Sequence, residues 1–102
     1  MTERIEKIRK FLEQSPDDCF LNHALALELI KNGRDTEAKP VFEKNLAFDP
    51  GYIATYYHLG KLLERLGEAG EAAAVYEQGI EQARAAGDMH SCNELQAARE
   101  DI

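Results

Sequence analysis

Residues 53–86 read IATYYHLGKLLERLGEAGEAAAVYEQGIEQARAA, and this stretch decides the fold class of the chain. Apolar residues recur at helical spacing on both sides of Gly67, which predicts two helices, about 53–66 and 70–85. Gly67 is the expected end of the first helix, because glycine adopts a left-handed backbone most easily. The stretch therefore predicts a helical hairpin with a tight turn.

The same pattern occurs 34 residues earlier in the chain. The two copies carry identical residues at seven pairs of positions: Leu25/Leu59, Leu29/Leu63, Gly33/Gly67, Glu37/Glu71, Ala38/Ala72, Val41/Val75 and Glu43/Glu77. An internal period of this length is typical of stacked helix-turn-helix units. We therefore expect an all-α fold with two αα-hairpin repeats, residues 19–50 and 53–86.

Two further helices are predicted outside the repeats, at residues 3–14 and 88–102. Both carry apolar residues at helical spacing, namely Ile5, Ile8, Phe11 and Leu12 in the first and Met89, Cys92, Leu95, Ala98 and Ile102 in the second. In the 34-residue register, the first of these helices aligns with the second half of a repeat. We expect each to act as a capping helix, which gives about six helices in a single domain spanning residues 1–102.

The charge of the chain restricts its partners. The formal net charge of -7 argues against binding nucleic acid or an anionic membrane surface. The N-terminal residues include several acidic side chains and no continuous apolar run, so they predict neither a signal peptide nor a membrane span. We therefore expect a cytoplasmic protein, in which Cys19 and Cys92 are free thiols that fill the core.

The repeats resemble the tetratricopeptide repeat. The residues that carry the resemblance in the second repeat are Tyr56, Leu59, Gly60, Leu63, Gly67, Ala72, Tyr76 and Gly79, and in the first Leu25, Ala26, Gly33, Ala38, Phe42 and Pro50. Three positions depart from the family pattern: Asn22, Asn45 and Arg84. The resemblance implies a right-handed superhelix of helical hairpins.

In that family the first helix of each repeat lines a concave groove that holds an extended or helical peptide. The resemblance therefore implies a non-catalytic protein-protein interaction module, acting as an adaptor or assembly factor. The matching groove residues are Phe20, His23, Leu27, Ile30 and Lys31 in the first repeat and Tyr57, His58, Lys61, Glu64 and Arg65 in the second. His23 and Leu27 stand where some members carry residues of a carboxylate clamp, so that clamp is incomplete here.

The helix predicted at residues 19–32 supports a binding surface independently, because it has two apolar stripes. These stripes are Leu21/Leu25/Leu29 and Phe20/Leu27/Ile30. One stripe is enough to pack within a repeat, so the second needs cover from a partner, from a second copy or from the N-terminal helix. The alternative to an adaptor is accordingly a self-associating structural protein, such as a homodimer.

The sequence contains no pattern that predicts catalysis. Cys19 and His23 are four residues apart on one predicted helix, but a zinc site needs four ligands and no second pair has matching spacing. No set of Ser, His and Asp or of Cys and His has a spacing that helices would bring together. We expect neither a metal nor a cofactor, and we expect that the protein is not an enzyme.

Overall fold

The computed structural model describes residues 2–102, and within them it contains six helices and no strand. The helices are α1 (Thr2–Gln14), α2 (Cys19–Lys31), α3 (Asp35–Phe48), α4 (Ile53–Arg65), α5 (Ala69–Ala86) and α6 (Met89–Glu100). The predicted all-α class is therefore confirmed. Met1, the first residue of the predicted domain, lies outside the described residues.

The helix ends follow from local chemistry. Gly33 and Gly67 have φ values of 74° and 79°, the left-handed conformation predicted for them. After α2, the Gly33 N–H donates to the Ile30 carbonyl at 2.9 Å and the Arg34 N–H donates to the Leu29 carbonyl at 2.8 Å. This pair of bonds satisfies two carbonyls at the end of the helix and turns the chain sharply into α3.

The chain divides into two compact units between Asp49 and Pro50. The first unit contains α1, α2 and α3, and α2 packs against both of the others. Its buried apolar side chains are Ile5, Ile8, Leu25, Ala26, Leu29, Ala38 and Phe42. α1 therefore packs on the first hairpin, and its role as a capping helix remains a prediction.

Asn22 and Asn45, two of the departures from the family pattern, are buried polar residues of the first unit. The Asn22 side-chain amide donates to the carbonyls of Pro16 and Asp18, both at 3.0 Å. The Asn45 amide donates to the Cys19 carbonyl at 3.2 Å. These two buried amides therefore donate to backbone carbonyls around the start of α2, as buried polar groups require.

The second unit contains α4, α5 and α6, and α4 packs against both of the others. Two glycines permit close approach of these helices. A Cβ atom added to Gly60 would overlap the ring of Tyr76, and one added to Gly79 would lie 2.6 Å from Cβ of Tyr56. The small residues of the repeat therefore fill positions where no side chain fits.

Three residues predicted on the buried stripes of the capping helices are exposed instead. The exposed fractions are 57% for Phe11, 56% for Met89 and 44% for Ile102. Met89 begins α6 and Ile102 follows its end, so a full helical turn does not surround either residue. Phe11 lies two repeat periods before Gly79, a position at which the side chains of Tyr56 and Leu95 leave no room for a Cβ atom in the second unit.

Candidate functional site

The predicted binding residues of the first repeat all lie on α2. Phe20 is 70% exposed and Lys31 is exposed, whereas His23, Leu27 and Ile30 are half-buried. The His23 ring lies 5.6 Å from the Phe42 ring between centroids, with 52° between the ring planes. The α2 face therefore presents apolar side chains, of which Phe20 is the most exposed.

The predicted binding residues of the second repeat lie on α4, and the structure brings four of them together. The rings of Tyr57 and His58 meet edge to face with centroids 5.6 Å apart. The Lys61 ammonium lies 5.6 Å from the centroid of the Tyr57 ring and 3.9 Å from a carboxylate oxygen of Glu64. Arg65 follows at the end of α4 and is exposed. The α4 face is thus aromatic and charged.

Two residues of the α4 face are coupled to the rest of the second unit. The hydroxyl of buried Tyr76 donates to the Glu64 carboxylate at 2.5 Å. Burial and the neighbouring carboxylate together raise the pKa of Tyr76 far above its ordinary value. Burial lowers the pKa of His58, and the negative charge of Glu94 opposes that shift. The imidazole is therefore disposed to remain neutral at physiological pH.

The side chains of the α2 and α4 faces limit the interactions that each face can make. Among the residues that the structure describes, no group of three or more His, Cys, Asp or Glu side chains could hold a metal ion. Cys19 is half-buried, Cys92 is buried, and both are free thiols. Apolar contact, stacking and ion pairing are the interactions available to the residues of α2 and α4.

A second surface of the first unit was not predicted from the sequence. An open groove of about 1100 Å³ is lined by residues 3–4, 6–11 and 13 of α1 and by residues 20, 21 and 24 of α2. We call this surface the α1–α2 groove. It contains Phe11 and Phe20, and Arg4 on its α1 side lies 3.5 Å from the carboxylate of Glu28. The register of Phe11 with Gly79 is the sequence signal that could have revealed this surface.

No helix within residues 2–102 combines enough length with enough apolar character to cross a bilayer.

Comparison with known proteins places these features in context. A family model described as Tetratricopeptide repeat matches residues 53–85. The solution structure of a tetratricopeptide repeat domain protein from Salinibacter ruber is 44% identical, over 84% of this chain and 87% of that chain, with a TM-score of 0.81. A crystal structure of such a protein from the same organism is also 44% identical, over 82% of this chain and 93% of that chain, with a TM-score of 0.78.

A third similar structure is the solution structure of a protein from Bordetella parapertussis. It is 28% identical, over 99% of this chain and 88% of that chain, with a TM-score of 0.83. The comparison with curated proteins found no match. The predicted helical-repeat fold is confirmed by these similarities.

Proposed function

Because the chain belongs to the tetratricopeptide repeat family, we propose that it binds a segment of another polypeptide and catalyses no reaction. The residues that contact this segment are those on the exposed faces of α2 and α4. The segment is an extended peptide or a helix, and the chain acts as an adaptor or assembly factor. Proteins of this kind bring partners together through surface complementarity.

The apolar character of the α2 face is the observation that carries this proposal. Phe20 is 70% exposed on the same helix as half-buried Leu27 and Ile30. Covering apolar surface with an apolar partner is favourable by roughly 25 cal/mol per Å². We therefore expect the part of the ligand that meets α2 to carry apolar side chains.

The α4 face adds selectivity for charge. Lys61, Glu64 and Arg65 together carry a net charge of +1, within a chain whose net charge is -7. Glu64 is held by Tyr76, and Lys61 is held between Glu64 and the Tyr57 ring. Fixed side chains lose little freedom on binding, so they favour a ligand with a complementary carboxylate. The predicted ligand segment is accordingly apolar with at least one acidic residue.

A capture experiment with a matched control tests the proposal. The wild type and a Leu27→Glu/Tyr57→Glu variant are used to capture proteins from a lysate of the source cell, and bound proteins are identified by mass spectrometry. The affinity of each purified candidate is then measured by calorimetry. We expect the variant to bind at least about tenfold more weakly, which corresponds to about 1.4 kcal/mol.

Phe48→Glu is the control, because Phe48 is 59% exposed on α3 and belongs to neither predicted face. This variant should bind the partner as the wild type does. Equal binding by all three proteins would refute the assignment to α2 and α4. Circular dichroism of each variant establishes that the helices remain folded.

A further inference from the structure

A buried tyrosine of the second unit reaches the predicted binding face on α4. The side chain of Tyr76 is fully buried on α5, yet its hydroxyl donates to the carboxylate oxygen Oε2 of Glu64. The same oxygen lies 3.9 Å from the ammonium of Lys61. One carboxylate oxygen therefore connects a core residue with a charged residue of the α4 face.

The other repeat of the chain packs without such a hydroxyl. Phe42 occupies the position of Tyr76 in the first repeat, one period of 34 residues earlier, and it is also fully buried. A phenyl ring can thus fill this core position, whereas a buried hydroxyl needs a hydrogen-bond acceptor. What the hydroxyl adds to the second repeat is its bond to Glu64.

The ammonium of Lys61 is close to Glu64 but not hydrogen-bonded to it. The two residues are three positions apart on α4, a spacing at which opposite charges meet. A hydrogen bond between an ammonium and a carboxylate measures about 2.7–2.9 Å, so their separation of 3.9 Å is that of an ion pair only. Among the described residues, Lys61 forms no hydrogen bond. Its N–H donors are therefore available to a ligand.

We propose that Tyr76 is a positioning residue of the α4 face, whose hydroxyl gives this face its preference for an acidic ligand. By binding Glu64 from the core, the hydroxyl keeps the carboxylate from closing on Lys61. The ammonium also lies 5.6 Å from the centroid of the Tyr57 ring, which helps to fix it. A donor that is fixed before binding loses little freedom when a ligand carboxylate arrives. This inference rests on the proposed function, because it concerns the ligand of the same face.

The charge discrimination of Tyr76→Phe tests this role. Peptides that bind the wild type are selected from a random displayed peptide library. Those that contain Asp or Glu are synthesised with that residue and with the corresponding Asn or Gln, and both affinities are measured by calorimetry. The wild type should bind an acidic peptide at least about threefold more tightly than its amide counterpart, as expected of a partly exposed ion pair. Lys61→Gln identifies the peptides whose discrimination depends on Lys61.

For those peptides, Tyr76→Phe should bind the acidic and the amide form equally. Without the hydroxyl, Lys61 is the nearest partner of the Glu64 carboxylate, which then competes with the ligand for the ammonium. Adding Glu64→Gln to Tyr76→Phe removes the competing charge, so the double variant should discriminate again. A ratio of two affinities does not change when a variant is merely less stable, so this measurement separates positioning from stability.

Tyr56→Phe is the matched control. The buried hydroxyl of Tyr56 donates to the Pro50 carbonyl at 2.5 Å, and neither residue belongs to the predicted binding faces. Each of the two single variants thus removes one hydroxyl from a buried ring of the second unit. Tyr56→Phe should discriminate between the peptides as the wild type does.

The possible outcomes distinguish the inference from the proposed function. If Tyr76→Phe discriminates like the wild type, if Tyr56→Phe loses discrimination equally, or if the double variant fails to regain it, the role of Tyr76 is refuted while the proposed function stands. The role is also refuted if no selected peptide depends on Lys61. If the library yields no peptide that binds the wild type better than Leu27→Glu/Tyr57→Glu, the proposed function is refuted as well.

Discussion

The hydroxyl of Tyr76 donates a 2.5 Å hydrogen bond to the carboxylate of Glu64 and so joins the core of the second unit to its predicted binding face. Tyr76 is fully buried on α5, and Glu64 is half-buried on α4. The first repeat has Phe42 and Ile30 at the corresponding positions and cannot make this bond. The link between core and face therefore distinguishes the second repeat from the first.

Replacing Tyr76 with Phe keeps the ring in the core and removes the hydroxyl. We expect the free energy of unfolding at pH 7 to fall by about 1–2 kcal/mol, because a hydrogen bond to a carboxylate is lost. Urea unfolding of both proteins measures this change. Tyr57→Phe is the matched control, because it removes a hydroxyl from a half-exposed ring and should change stability little.

The pH dependence of stability tests whether the hydrogen bond from Tyr76 to Glu64 causes the loss expected for Tyr76→Phe. The pKa of Tyr76 is raised in the folded protein, and an unfolded tyrosine ionises near pH 10. Its contribution to stability is therefore fully present below about pH 10 and is lost progressively at higher pH. We expect the difference between wild type and Tyr76→Phe to be constant from pH 7 to about pH 9 and to shrink above about pH 10. If the difference in unfolding free energy between the two proteins grew as the pH rose, the hydrogen bond would be contradicted.

Substitutions of Gly60 and Gly70 should have opposite effects. A Cβ atom on Gly60 would overlap the ring of Tyr76, so we expect Gly60→Ala to lower the free energy of unfolding by about 1–3 kcal/mol. Gly70 on α5 has no atom within 4 Å of the added Cβ, so Gly70→Ala should leave stability unchanged or raise it by up to about 1 kcal/mol. Thermal unfolding of both variants distinguishes these outcomes, and equal effects would contradict the packing of α4 on α5.

Two apolar residues of α1 should differ sharply in their contribution to stability. Ile5 is 2% exposed, and Ile5→Ala should cost about 2–4 kcal/mol because it leaves a cavity between α1 and α2. Phe11 is 57% exposed, and Phe11→Ala should cost less than about 1 kcal/mol in dilute solution. Chemical unfolding measures both values. A larger loss for Phe11 than for Ile5 would contradict the exposed position of Phe11 and the buried position of Ile5.

The sequence predicted those features of the fold that depend on the spacing of residues along the chain and on their backbone preferences. The repeat period of 34 residues, the left-handed Gly33 and Gly67 and the six helices all follow from spacing and backbone preference. Phe11 was assigned wrongly because its spacing fits the stripe of Ile5 and Ile8. Its exposure depends instead on how α1 packs against α2, which spacing within one helix does not determine.

The candidate site was predictable only as a set of positions. The family resemblance identified the residues of the α2 and α4 faces, and contact with a partner remains a prediction for all of them. The contacts of Lys61 with Tyr57 and Glu64 depend on side-chain rotamers, and the bond from Tyr76 depends on how α5 packs against α4. Such contacts join residues through the fold, so the order of residues in the chain does not reveal them.

The buried amide of Asn22 has a consequence for cleavage of the chain by proteases. The turn from Ser15 to Asp18 is exposed and carries a proline and two aspartates, a composition expected of an accessible cleavage site. A protease must draw several residues of backbone into its own active site, so the turn has to open first. Asn22 binds the carbonyls of Pro16 and Asp18 from inside, and Lys44 donates to Pro16 as well, at 3.4 Å. Opening the turn breaks these bonds, so we expect the segment to resist digestion although solvent surrounds it.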